Sequence, residues 1–189
     1  MTCIAGYVAK GGDVYIGGDS WIGDGGSHSI TKSPKVRPYP VAGLRSPILI
    51  GITGPIRPAT VLDRMAFPPV ISNYRKWAEG LFIDALRQAL WENGYISWID
   101  GAEAFPEWTQ LLMGFGGELY VVEENLQVVQ VGQPYIAIGA GQYHAEGAFA
   151  AMEQFKQTVA PKRRVEVALK AAAAHSPYVC PPYAIFRTA

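Results

Sequence analysis

Charge is scarce in this chain of 189 residues: 17% are charged, and sixteen acidic residues cancel sixteen basic ones, for a formal net charge of zero at pH 7. A chain without a basic surplus has no electrostatic grip on a phosphate backbone, so nucleic acid is not an expected partner. The one tight basic cluster, Lys162-Arg163-Arg164, reads as the solvated first turn of a helix. Cysteine is equally sparse. Cys3 and Cys180 are the only two, with no Cys-x-x-Cys or Cys/His spacing to hold zinc, and no metal or cofactor is expected. Cys3 reads as a small apolar residue on a strand. Apolar runs of about 18 residues or more are also missing, as is a charged-then-apolar leader, which argues against a membrane partner and for a cytoplasmic protein.

Apolar residues are plentiful at 49%, enough for a well-filled core, and the length suits one domain over residues 1–189. The opening twenty residues are the most informative. Two apolar-rich runs, 2–10 and 13–20, flank a Gly11-Gly12-Asp13 connection and predict an antiparallel hairpin. Such a hairpin brings its two open ends side by side. One end carries the Thr2 hydroxyl and the other the Asp19 carboxylate. Threonine is a poor nucleophile that needs a base. A chain beginning at Thr2, after removal of Met1, supplies one in its own α-amine, whose pKa of about 7.7–8.0 a nearby cation lowers. Lys35, in Ser33-Pro34-Lys35-Val36-Arg37, is the candidate cation, with Asp19 as its partner. His28 is an alternative base, but a lone histidine in a Gly/Ser-rich stretch reads as exposed.

This pattern resembles the proteasome β-type N-terminal nucleophile (Ntn) hydrolases, HslV in particular, in which a terminal Thr, an Asp closing the second strand and a Lys followed by Val or Ile form the catalytic group. Asp19 lies 17 and Lys35 33 residues after Thr2. Each offset is one longer than the family's usual spacing, and one extra residue in the Gly11-Gly12-Asp13 turn accounts for both. The resemblance extends to Ile48-Leu49-Ile50-Gly51-Ile52-Thr53-Gly54, where it implies that the Gly54 N–H is the oxyanion donor, and to Tyr135-Ile136-Ala137-Ile138-Gly139-Ala140-Gly141. Two stretches depart from the family. Ala140 stands where a Ser is usual between the glycines, and Ser176 and Val179 stand where an Asp and a Ser three residues on are usual. Those family side chains hold the terminal amine and its water.

The remaining chain predicts a turn-rich polar stretch over 21–34 with Trp21 and Ile22 as apolar exceptions, a strand from Lys35 that Pro38 and Pro40 confine to an edge or break, and a buried strand over 47–53. A helix entered through Pro55 and Pro58 runs to about Phe67, and an amphipathic helix spans 70–92, closed by Asn93-Gly94. Residues 95–107 read as an irregular connection with exposed aromatics. A second hairpin turns at Gly116-Gly117, a strand follows over 127–131 and a buried one over 135–139, then helices over 142–157, with Phe155 inward, and 161–174, and a last strand over 183–186. This order does not alternate as βαβ units do. It fits an α+β arrangement of two antiparallel sheets stacked between helices, and the resemblance implies the same four-layer αββα sandwich.

The resemblance also implies a threonine peptidase acting on peptides or unfolded protein, assembled as a homo-oligomeric ring around an internal chamber, with an ATP-driven unfoldase as a potential partner. A non-catalytic ring scaffold that keeps Met1 and an amide hydrolase acting on a small molecule are the alternatives, because a fold does not by itself set an activity.

Overall fold

A computed structural model describes residues 2–23, 27–70, 73–99, 102–104 and 109–188. The first sheet is built from β1 (Cys3–Val8), β2 (Val14–Gly18), β12 (Tyr135–Gly139) and β13 (Ala184–Arg187) in the order β12-β1-β2-β13. The second holds β5 (Val36–Tyr39), β6 (Ile48–Ile52), β9 (Leu111–Phe115), β10 (Glu118–Val122) and β11 (Val128–Gln130) in the order β11-β10-β9-β6-β5. Every pairing in both sheets is antiparallel.

Successive strand side chains point to opposite faces, and here both faces are covered. In β1, Cys3, Ala5 and Tyr7 enter a cluster with Phe149, Val165 and Leu169, whereas Ile4 enters one with Leu49, Leu112 and Leu119. In β6, Ile48, Ile50 and Ile52 join Trp77, Phe82 and Leu86, whereas Leu49 meets Ile4 and Ile16. Three apolar layers result: helices on the first sheet, sheet on sheet, and helices on the second sheet. This is the αββα sandwich expected from the order of elements. Glycines leave room between the two sheets: a Cβ on Gly114 would lie 2.5 Å from Val14, and one on Gly51 2.5 Å from Ile4.

The helices covering the second sheet are α1 (Arg57–Leu62), α2 (Tyr74–Trp77) and α3 (Ile83–Glu92), with a π-helical turn over Ala78–Phe82 joining the last two. The first sheet is covered by α4 (Gln142–Gln154) and α5 (Pro161–His175). Among the described residues no helix is long and apolar enough to cross a membrane.

Several sequence expectations need correction. The 21–34 stretch contains a small hairpin, β3 (Trp21–Gly23) with β4 (His28–Ile30), paired Trp21 to Ile30. Of the edge and the break expected for the strand from Lys35, the edge holds, and the strand is not interrupted at Pro38. It continues to Tyr39 as an edge strand, where a missing N–H costs no ladder bond. Helix α1 stops at Leu62, short of Phe67. Strand β12 is half-buried at Tyr135 and Ile136 because it, too, is an edge. Phe155 is 70% exposed. Tyr95 is buried, with the Arg57 guanidinium 4.5 Å above its ring, and residues 97–104 contain the hairpin β7 (Ser97–Ile99) with β8 (Ala102–Ala104). The expected exposure of the other aromatics there, Trp98 and Phe105, lies outside what is described. Arg164 is not a purely solvated charge: it bonds the Gln157 and Val159 carbonyls and stacks 5.1 Å over Tyr7.

Candidate active site

The β1–β2 register pairs Ile4 with Gly18. One step further, the Asp19 N–H donates to the Cys3 carbonyl, so the Asp19 carboxylate lies beside the start of β1. Its Oδ1 accepts the Cys3 N–H at 3.0 Å and its Oδ2 accepts the Trp21 N–H at 2.8 Å. These two amides fix its orientation. Lys35 precedes the edge strand β5, and its carbonyl accepts the Ile52 N–H, which sets where the side chain begins. The Lys35 ammonium donates to Asp19 Oδ1 at 3.0 Å and also to the Thr2 hydroxyl oxygen. Thr2, Asp19 and Lys35 are 2%, 2% and 9% exposed.

The three polar residues singled out in the sequence therefore meet in one buried cluster. Burial lowers the Lys35 pKa, and the Asp19 charge and hydrogen bond pull it back up. A buried ammonium so held presents a concentrated positive charge to the Thr2 oxygen. Cys3 is no competing nucleophile, since burial, reinforced by the Asp19 charge, pushes its thiol up to about 12. His28 is exposed on β4. Met1 lies outside the described residues.

The Thr2 main chain is clasped from the second half of the chain. Its carbonyl accepts the Gly141 N–H at 3.4 Å. Gly139, opposite Cys3, has φ +89°, and a Cβ there would sit 2.5 Å from the Thr2 oxygen. No side chain fits. The far end of the chain closes the other flank: the Ser20 N–H donates to the Cys180 carbonyl at 3.0 Å, the Ser20 hydroxyl to the Pro182 carbonyl, and β13 pairs with β2. At the positions that depart from the family, Ala140 is exposed, Ser176 accepts the Tyr178 N–H at 3.4 Å, and Val179 is buried.

Gly54, at φ +82°, follows β6 and opens onto a cavity of about 180 Å³ shared with Thr2, Lys35, Trp21, Ile22, Pro55 and Ile56. The apolar wall was only partly legible. Trp21-Ile22 stood out as an apolar pair in a polar stretch, but nothing marked Pro55-Ile56 as more than a helix start. A larger cavity of about 520 Å³ lies between α1 and α3, bounded by Arg64, Asp84, Gln88 and Glu92. These side chains are exposed, and its lining holds no Ser, Thr, Cys or His, so the smaller cavity is the candidate site.

No protein-family model matches the chain, and no curated protein sequence does. Solved structures match along its whole length. BPH of Thiobacillus denitrificans, solved alone and in complex with epoxomicin, superposes with a TM-score of 0.77 at 20% identity, covering 98% of this chain and 97% of that one. HslV from Trypanosoma brucei gives 0.67 at 18% identity, covering 98% of each chain. Anbu, the ancestral beta-subunit, from Yersinia bercovieri gives 0.64 at 13% identity, covering all of this chain and 81% of that one. The fold is that of the proteasome-like Ntn hydrolases. At these identities the likeness is one of architecture, with BPH, HslV and Anbu as its particular neighbours.

Proposed function

We propose that this chain is a threonine-type peptidase subunit of a homo-oligomeric ring, hydrolysing peptide bonds with Thr2 once Met1 has been removed. The observation that carries the reading is the buried Lys35 ammonium donating to both the Thr2 hydroxyl and the Asp19 carboxylate. In this reading Thr2 Oγ1 attacks the substrate carbonyl carbon, and its proton passes to the freed Thr2 amine. Lys35 favours the developing alkoxide, Asp19 keeps Lys35 in place, and the Gly54 N–H holds the oxyanion. Collapse of the tetrahedral intermediate breaks the C–N bond, and the ammonium returns the proton to the leaving amine. Water then cleaves the Thr2 ester by the same route, releasing the acid and restoring the hydroxyl. The wall of Trp21, Ile22, Pro55 and Ile56 suits one apolar substrate side chain. The ring, a chamber admitting unfolded protein and an ATP-driven unfoldase feeding it belong to the same reading, drawn from the likeness to HslV; the Anbu complex of Pseudomonas aeruginosa is instead a helical assembly.

A second reading, a non-catalytic scaffold subunit, is favoured by Ala140 and Val179, which offer no polar side chain to an amine. Intact mass and a peptide-based electrophile separate the two. Catalysis requires a chain beginning at Thr2 that takes one electrophile per protomer at that residue. Complete retention of Met1 with no labelling supports the scaffold. Peptide hydrolysis by Thr2→Ala at the wild-type rate removes the peptidase reading.

A further inference from the structure

The chain holds three histidines, and two of them meet. His144, in the first turn of α4, and His175, the last residue of α5, lie with ring centroids 5.0 Å apart and ring planes tilted by 31°. Both are exposed. Among the described residues neither ring is hydrogen-bonded or ion-paired. Helix packing brings them together. Ala145 of α4 and Ala168 and Ala172 of α5 are buried in one cluster, and small residues let the two helices approach. At the start of α4 a Cβ on Gly141 would lie 2.8 Å from that of Ala172. His144 follows Gly141, and His175 follows Ala172, by three residues, a step that keeps to one helix face. The two imidazoles therefore meet at the outer rim of this contact.

That separation is the one a shared metal ion imposes. An imidazole nitrogen sits about 2.0–2.1 Å from zinc, which puts each ring centre roughly 3.2 Å from the ion, and two rings at a tetrahedral angle then stand about 5 Å apart. The surroundings suit a cation. Glu146 and Glu153 are the only fixed charges on α4. Lys170, the basic residue of α5 nearest in sequence to His175, is paired with Glu166 at 2.8 Å, so neither helix sets a free ammonium beside the pair. Imidazole binds zinc, copper and nickel, whereas magnesium and calcium take oxygen ligands. No group of three or more His, Cys, Asp or Glu among the described residues is placed to hold a metal, so water fills the remaining positions and the ion stays exchangeable. We infer that His144 and His175 form a two-imidazole site for a divalent cation of the zinc, copper and nickel class, clamping the start of α4 to the end of α5. Sequence spacing does not show this site, because tertiary packing alone brings its two ligands together. Gly141, whose N–H holds the Thr2 carbonyl, immediately precedes α4, so the clamp braces one side of the Thr2 cradle. The inference does not depend on Thr2 chemistry.

The test is calorimetric titration of the untagged full chain with Zn2+, beside His144→Ala, His175→Ala and His28→Ala, with Cu2+ electron paramagnetic resonance on the same four proteins. All three histidines are exposed, so the substitutions leave the fold intact, and an unchanged circular dichroism spectrum verifies this. The wild type and His28→Ala are expected to take one Zn2+ per protomer. Loss of either clamp imidazole removes an intramolecular second ligand and should weaken binding by about tenfold or more. The Cu2+ spectrum should show two nitrogen ligands in the wild type and at most one in His144→Ala or His175→Ala. Because only the folded chain brings the two rings together, Zn2+ should raise the melting temperature of the wild type and not of those two variants. Five results overturn the inference: no Zn2+ bound by the wild type at about 1 mM, affinity unchanged in His144→Ala or His175→Ala, affinity lost in His28→Ala, equal uptake of Mg2+, and one ion per two protomers, which would make the ion a bridge between chains.

Discussion

Asp19→Ala leaves a buried ammonium without its counter-charge. Asp19 accepts from three buried donors, the Cys3 and Trp21 amides and the Lys35 ammonium, at 3.0, 2.8 and 3.0 Å. Removing one partner of a buried ion pair costs about 3–5 kcal/mol, because the remaining charge is stranded. Each orphaned amide adds roughly 1 kcal/mol or more, with incomplete additivity. A loss of about 5 kcal/mol at pH 7 is expected. At a urea m-value of about 2 kcal/mol/M this lowers the unfolding midpoint by roughly 2.5 M, measured at fixed protomer concentration because assembly shifts apparent stability. The pH dependence has a definite sign. Burial already lowers the Lys35 pKa and Asp19 opposes it, so without Asp19 the folded-state value falls further below the unfolded one. Between the two values the unfolded chain binds more protons than the native one, and the variant gains stability as pH rises. Its deficit against wild type therefore narrows from pH 7 towards pH 10. Adding Lys35→Met removes the stranded charge and recovers at least about half of the loss. A midpoint shift under about 0.5 M at pH 7, or a deficit that widens with pH, would refute the account of a charge pair sealed from water.

Gly139→Ala meets both φ +89° and the Thr2 carbonyl at 2.5 Å, whereas Gly12→Ala, at φ +87°, meets nothing within 4 Å. Thermal melts should show a loss of about 1 kcal/mol for Gly12→Ala and at least twice that for Gly139→Ala. With the Cys3 thiol pushed up to about 12 and buried, Ellman titration at pH 8 should find at most one reactive cysteine in the native protein and two in denaturant. On the peptidase reading, Trp21→Ala widens the cavity. The kcat/KM ratio of a bulky aromatic over a small aliphatic side chain in peptide substrates should then rise by about tenfold or more; an unchanged ratio would detach Trp21 from specificity.

The parts of the fold legible in the sequence were those with a local cause. Gly11-Gly12-Asp13 and Gly116-Gly117 announced their hairpins because tight turns need positive φ, which Gly12, Gly116 and Gly117 adopt. The meeting of Thr2 with Asp19 followed from the first of these hairpins alone. Lys35 joining them is a long-range event: the chemistry called for a cation and the family spacing supported Lys35, but no local rule tells an edge strand where to dock. The misreadings have tertiary origins. Tyr95 looked exposed because nothing in 95–107 shows that Arg57 and the α1–α3 layer cover it. Phe155 looked inward because its spacing from Met152 continues the apolar stripe, yet the helix ends at Gln154 and Lys156 turns to φ +49°.

The cradle of Thr2 and Asp19 draws on the whole length of the polypeptide: Gly141 clasps one side, Cys180 and Pro182 latch the other, and the strand Ala184–Arg187 is laid against the one that ends beside Asp19. During synthesis these late segments emerge long after the first hairpin. A partly made chain presents threonine, lysine and aspartate without the frame that aligns them, so the alignment of the three side chains waits until the last strand has been laid down.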